Sequence, residues 1–325
     1  MIKDVLKPLL PEELEGFELC SAEYPEYGTG ITVILARNGA VTGADIRGGA
    51  PASRENGLLN PLASNNAVHA VVLAGSSAYG LSASDGVMKY LEEQNIGFPT
   101  DYGVVPIVCS SCLFDLGFIS GTGRADSALG YKACAEPQPF REGNYGAGCG
   151  ATVGKILGAP YCMKSGIGFK GYRLGDLWVA AVVAVNAAGD IYDPDTNQKL
   201  AGMYDRENKR FLDAEEALYR IAGGTIDLFN QNTTIGAVLT NGKFDKTELT
   251  KIAGMAHDGF ARAIRLVHTQ FDGDTIYAMS TASVPADINT AGTLAARAMA
   301  EAIASAVLHA EDAGGLPANR SVTGR

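Results

Sequence analysis

Asn38-Gly39 stands between two runs of strand-forming character, 31–35 (ITVIL) and 40–46 (AVTGADI). Asn-Gly accepts the positive φ angles of a two-residue hairpin, so the stretch predicts two strands paired antiparallel. A chain with that feature is not a wholly parallel sheet wound through helices. Further apolar runs predict strands at 70–73, 178–186, 235–239 and 275–279. Helices are predicted at 83–94 and, Ala-rich, at 288–310. Another follows Asp245-Lys-Thr-Glu248, a capping pattern ahead of Leu249, Ile252, Ala256, Phe260, Ile264 and Val267 at helical spacing. Polar stretches at 193–212 and 219–232 read as exposed connections, and the tail after Ala313 reads as frayed. Strands and helices alternate without a strict βαβ rhythm, which predicts layered α+β packing. The 325 residues suffice for one large domain, 1–325.

The chain is 46% apolar and carries a net charge of −10 with Lys and Arg scattered, which excludes a basic stripe for nucleic acid. The N-terminal segment lacks the basic and apolar regions of a signal peptide, and the longest apolar run, 177–188, is too short to span a bilayer. The expectation is a cytoplasmic protein with no membrane partner. Cys109-Ser-Ser-Cys112 is a lone C-x-x-C without two further soft ligands, and six scattered cysteines predict buried thiols; no metal or other cofactor is expected.

Four stretches invite chemistry. Gly75-Ser-Ser-Ala-Tyr-Gly80 follows a strand like a nucleophile elbow, but its second glycine falls one place late. None of the four histidines lies in a diagnostic context for a triad, and three occur within helical patterns. Gly146 to Lys155 has the flavour of a phosphate loop, yet Ile156 stands where the magnesium hydroxyl belongs. The simpler reading is close backbone approach, with Lys155 held beside a crowded site. Asp272-Gly-Asp274 has the form of a metal-binding D-x-D, yet no further carboxylates follow at EF-hand spacing, and the simpler reading is a solvated turn. Finally, Asn232-Thr233-Thr234 guards the entrance of an apolar strand. A threonine hydroxyl needs a base, and cleavage before Thr233 would supply one: its own α-amine, with a pKa near 8.

The runs GNYGAGCGATVGK (143–155), VNAAGDI (185–191) and NTTIGAVLTN (232–241) resemble the P1 family of self-processing aminopeptidases, as do ITVILARNGAVTGADIRGGAP (31–51) and HAVVLAGSSAYGLSASDGV (69–87). The resemblance implies a four-layer αββα sandwich, related in architecture to N-terminal-nucleophile hydrolases. It implies self-cleavage at Asn232–Thr233 into chains 1–232 and 233–325, commonly assembled as tetramers. By the same resemblance Thr233 is the nucleophile and Asn186 an oxyanion donor. Lys155 holds the α-amine neutral. Asp272 and Asp274 orient Thr233 or read a substrate ammonium, and Tyr79 lines the pocket. Asn-Thr at the junction, with D-x-D downstream, is most similar to the branch that hydrolyses 6-aminohexanoate (nylon) oligomers. The alternatives are an aminopeptidase or esterase for D- or β-amino-acid amides, an ornithine acetyltransferase-like acyltransferase, and an uncleaved binding protein.

Overall fold

The structure, a computed structural model, describes residues 5–222 and 232–324. Among these residues ten strands make two facing sheets that share one long strand. They are β1 (Lys7–Leu9), β2 (Glu18–Tyr24), β3 (Thr29–Ile46), β4 (Ala52–Arg54), β5 (Val68–Ala74), β6 (Val108–Cys112), β7 (Ile167–Leu174), β8 (Leu177–Ala184), β9 (Ile235–Gly242) and β10 (Thr275–Val284). The first sheet runs β1-β7-β8-β9-β10 and ends on the second half of β3, residues 41–46. The second sheet pairs the first half of β3, residues 29–35, with both β2 and β5, then continues to β6 and β4.

Asn38-Gly39 is therefore not a hairpin turn. β3 continues through it for 18 residues, and the register with β5 slips between Leu35 and Ala40. Gly39 does take a positive φ, +76°, but it spends it on this irregularity. A long strand must bend to pass from one sheet into another, and an unpaired bulge supplies the bend.

Six helices flank the sheets among the described residues: α1 (Ala83–Glu93), α2 (Ser127–Ala135), α3 (Ala214–Ala222), α4 (Lys246–Ala263), α5 (Ile288–Leu308) and α6 (Asn319–Thr323). α1 and α2 bury Val87, Leu91 and Leu129 against Val33, Leu35 and Val72 on the outside of the second sheet. α4 and α5 bury Leu249, Phe260, Ala295 and Ile303 against Val179, Ala181, Val238 and Ile276 on the outside of the first. Between the sheets lie Ile34, Val71, Leu73, Trp178, Val182, Leu239 and Tyr277. The result is a four-layer αββα sandwich. β8 faces the inter-sheet core with Trp178, Ala180 and Val182 and the helices with Val179, Ala181 and Val183, which is why it reads as an unbroken apolar run.

The Asp245 capping box forms as predicted: Glu248 N donates to Asp245 Oδ1 and Asp245 N to Glu248 Oε2, both at 2.9 Å. The helix, however, stops at Ala263. Ile264 and Arg265 leave it as a short strand against Asp190–Tyr192, and Leu266 turns left-handed at φ +70°. The tail is not frayed: Pro317 O accepts Lys164 N at 2.9 Å, and buried Asn319 donates to Leu200 O at 2.7 Å. Within the predicted connection 219–232, α3 extends to Ala222, and 223–231 lie outside the described residues. α5 has the length and mean hydropathy (1.3) of a membrane span, but 72% of that window is buried in this core. Cys109 faces the inter-sheet core and Cys112 the α1–α2 layer, because residues three apart on a strand point to opposite sides.

Candidate active site

Strand register assembles the site. β9 runs parallel to β10 with Ile235 beside Thr275, and antiparallel to β8 with Ala184 beside Ile235. Two residues beyond those pairs, Asn186, Thr233 and Gly273 fall in one row at the sheet end. Thr233 N donates to Asn186 O at 3.1 Å, and Gly273 N donates to Thr233 Oγ1 at 2.9 Å. Thr234 N donates to Asp274 Oδ1 at 2.7 Å. Thr233 is 4% exposed, with a φ of +155°. A β-branched residue seldom adopts that backbone. Gly273 must be glycine to make its contact, because a Cβ there would stand 2.8 Å from Thr233 Oγ1.

The two acids are spent inward. Asp272 Oδ2 accepts Thr269 N at 2.7 Å. Asp274 Oδ2 accepts both the backbone N (3.1 Å) and the ring Nδ1 (2.9 Å) of His268. The loop after β3 clamps them from outside: Arg47 N donates to Asp274 O at 3.0 Å and Ala50 N to Asp272 O at 2.8 Å. Burial, and then the Asp274 charge, push the Asp272 carboxyl up to about 6, against the opposing pull of Thr269 and Lys155.

Lys155 arrives on the Gly-rich loop, which is laced to the turn after β8 by Gly154 N to Gly189 O (3.0 Å) and Lys155 N to Ala188 O (2.8 Å). Its Nζ donates to Asn186 Oδ1 at 2.6 Å and to Asn186 O at 3.1 Å. The latter is the same oxygen that holds Thr233 N. Asn186 Nδ2 donates to Phe114 O at 2.9 Å and carries a second hydrogen. Burial draws Lys155 down to about 8, although Cys162, Asp272 and Asp115 favour its charge. Beneath the loop, buried Lys164 donates to Gly148 O (2.9 Å), Ala151 O (3.0 Å) and Ser165 O, and burial lowers it to about 7.

A cavity of about 290 Å³ opens beside Lys155, walled by Phe114, Phe118, Thr152, Cys162 and Leu316, with Asp115 among its lining groups. Asp115 accepts Thr29 Oγ1 at 2.8 Å and Ser76 N at 2.7 Å, and burial pushes it up to about 6. A larger cavity, about 640 Å³, lies at Leu6, Leu174, Arg262 and Arg297. None of the groups above lines it, whereas Lys155 and Asp115 line the smaller one; Thr233, Asn186, Asp272 and Asp274 line neither.

The structure thus gathers Thr233, Asn232 and Asn186 with Lys155, Asp272 and Asp274. Tyr79 does not join them. It is exposed beneath the Arg124 guanidinium, 4.6 Å from ring centroid to carbon, and is not among the residues lining the cavity. Sequence reasoning missed His268, Phe114 and Asp115. His268 was placed in no diagnostic context, and its nearness to Asp272-Gly-Asp274 in the chain was the available signal. Among the described residues no three His, Cys, Asp or Glu side chains converge as metal ligands.

The profile of peptidase family S58 matches residues 15–321. An uncharacterized aminopeptidase of Mycobacterium tuberculosis (strain ATCC 25618 / H37Rv) is 37% identical over 318 residues, covering 91% of this chain and 90% of that protein. A 6-aminohexanoate-oligomer endohydrolase of Agromyces sp. (strain KY5R) is 33% identical over 287 residues, covering 86% and 77%. Among solved structures, the L-aminopeptidase D-Ala-esterase/amidase of Ochrobactrum anthropi, described as a variant of the Ntn hydrolase fold, superposes with a TM-score of 0.67 at 17% identity, covering 94% of this chain and 88% of that one.

Proposed function

The chain belongs to peptidase family S58 and is an amide or peptide hydrolase; from that premise we propose that it cuts itself before Thr233 and then uses Thr233 as an N-terminal nucleophile. The observation that carries this is the row at the sheet end, where Thr233 N and Oγ1 are each held by one backbone group of a neighbouring strand end. In the precursor, Thr233 Oγ attacks the Asn232 carbonyl. The amide nitrogen leaves with the hydroxyl proton, and the chain is carried through an ester on Oγ. Water opens that ester, leaving a carboxylate on Asn232 and a free amine on Thr233. The unusual φ of Thr233 fits this step, since a backbone of that kind costs about 1–3 kcal/mol that cleavage releases.

In the cleaved enzyme the α-amine takes the Oγ proton as Oγ attacks a substrate amide. It passes that proton to the leaving amine, and water then opens the acyl-enzyme. Lys155, sharing Asn186 O with the amine, disfavours a second positive charge there and keeps the base neutral. The second amide hydrogen of Asn186 serves the oxyanion, a role whose loss costs about 3 kcal/mol.

For substrate, the proposal is linear 6-aminohexanoate oligomers, supported by the Asn-Thr junction and the oligomer-hydrolase relatives. A second reading, an aminopeptidase, is favoured by two observations. The 37% relative carries that name, and Asp272 and Asp274 are bonded inward rather than offered to a substrate ammonium. Turnover of the linear dimer against D-alanine p-nitroanilide and a β-alanyl dipeptide separates them. Aminopeptidase substrates cut at least about tenfold better would set the second reading first. The same proposal carries a cytoplasmic tetramer of processed pairs, which light scattering of cleaved protein tests. Intact-mass analysis should find fragments 1–232 and 233–325, and Thr233→Ala should leave one chain. A fully active protein with Met1 as its sole N-terminus would overturn the mechanism.

A further inference from the structure

We propose that His268 is a positioning residue of this site. It fixes the Asp274 carboxylate, and through it the N–H of Thr234, so that Thr233 is held for attack. The inference rests on the reading of Thr233 as nucleophile. Asp274 bridges two segments: Oδ2 accepts the ring Nδ1 of His268 at 2.9 Å and its backbone N at 3.1 Å, while Oδ1 accepts Thr234 N at 2.7 Å. Without the imidazole the carboxylate keeps only backbone donors, the N–H groups of Thr234 and of residue 268, and loses the one side-chain bond that fixes its rotation as the acceptor for the peptide after the nucleophile.

The rest of the pocket agrees. A carboxylate accepts, so Nδ1 donates and the ring is the Nδ1–H tautomer. Nε2 is then a bare lone pair, and it is buried with no hydrogen-bond partner among the described residues, where an N–H would be costly. Phe260 stacks on the ring at 5.8 Å and 22°, and His257 meets it edge-on at 4.6 Å, itself tied through Nε2 to Asp45 O at 3.0 Å. The backbone is bent to deliver the ring: Leu266 and His268 sit at φ +70° and +58°, left-handed angles that non-glycine residues take only where the surroundings impose them. This bend directly follows Ile264–Arg265, whose pairing with Asp190–Tyr192 ties it to the turn that carries Asn186.

Three variants test the role. In His268→Asn the amide nitrogen occupies the place of Nδ1; in His268→Gln it reaches that of Nε2; His268→Phe keeps the ring packing alone. His268→Asn should self-cleave and turn over within about threefold of the parent, whereas the Gln and Phe variants should lose about tenfold to a hundredfold in cleavage rate and kcat, with KM within about threefold. Asn as slow as Phe, or all three equal to the parent, would overturn the proposal. A second measurement is independent of chemistry: ¹⁵N-histidine NMR of the Thr233→Ala protein, with His268 assigned through His268→Asn. The expected signal is an Nδ1-protonated ring whose proton is protected from exchange; an Nε2-protonated ring refutes the bond to Asp274. If Thr233→Ala is still cut between 232 and 233, the nucleophile reading fails, and the tautomer still decides the bond.

Discussion

One oxygen, Asn186 O, faces both Thr233 N and Lys155 Nζ, each at 3.1 Å. In the proposed cleaved enzyme two amines would compete for it, and they could not both be charged cheaply. Burial lowers Lys155 only to about 8, so at pH 7 it is still largely cationic. A like charge disfavours protonation of its neighbour, so the Thr233 amine should titrate below the usual 7.7–8.0 of an α-amino group. Removing that charge must move the amine upward. Lys155→Met should therefore shift the acidic limb of the kcat/KM profile up by about one pH unit, in addition to lowering the rate. The profile is measured between pH 5 and 9, with rates normalised to the cleaved fraction by mass spectrometry. A limb that stays where it was would mean that Lys155 serves only to orient Asn186.

β3 shows what a sequence signal can and cannot carry. Asn38-Gly39 does signal a positive φ, but a hairpin turn and a bulge both satisfy it; which one forms depends on β10 and β5 competing for the two halves of the strand, and that is long-range information. A Cβ on Gly39 would come within 2.9 Å of the Ala67 Cβ. Gly39→Ala should cost about 1–2 kcal/mol of stability, read as a lower urea midpoint, while self-cleavage proceeds at the parent rate. An unchanged midpoint would show that the bend tolerates a side chain. Local signals fared better. The capping box started α4 correctly, because both its bonds lie within four residues. The same apolar spacing overran the helix end, because Ile264 and Val267 stay in phase although the backbone turns at Leu266. The residues that the structure gathers were legible where residue type implied chemistry, as at Thr233 and Lys155, or where the family resemblance pointed to them, as at Asp272 and Asp274. They were illegible where placement alone is what brings a residue there: Asp115 is held by Thr29 and Ser76, and nothing in the chain near it announces a cavity wall.

Stacking two sheets between two helical layers leaves little solvent at the end where the site forms, and the charges gathered there tie stability to pH. Lys164 is the extreme case: a fully buried ammonium on three backbone carbonyls, lowered to about 7 against about 10.4 when unfolded. Below pH 7 both states carry its proton and the folded state bears the full burial cost. As pH rises past 7 the folded state releases that proton before the unfolded state does, so stability increases. Lys155, lowered to about 8, adds to the same limb. At lower pH the signs are mixed. Asp115 and Asp272, raised to about 6, make stability fall between roughly pH 4 and 6, while His257, lowered to about 4, makes it rise over nearly the same window. Above about 8 the buried thiols oppose the lysines, since Cys20, raised to about 11, and Cys109, raised to about 12, keep protons that the unfolded chain gives up. All six buried thiols act this way and begin to do so near pH 8, so the lysines lead only between about pH 7 and 8. In the uncleaved Thr233→Ala protein, where one chain unfolds, urea titrations should show stability climbing by up to about 1 kcal/mol across that window. Lys164→Met in the same background lowers the level, by leaving Gly148, Ala151 and Ser165 carbonyls unbonded, but it should also remove most of the climb. A slope that survives the substitution would place the titrating charge elsewhere in the core.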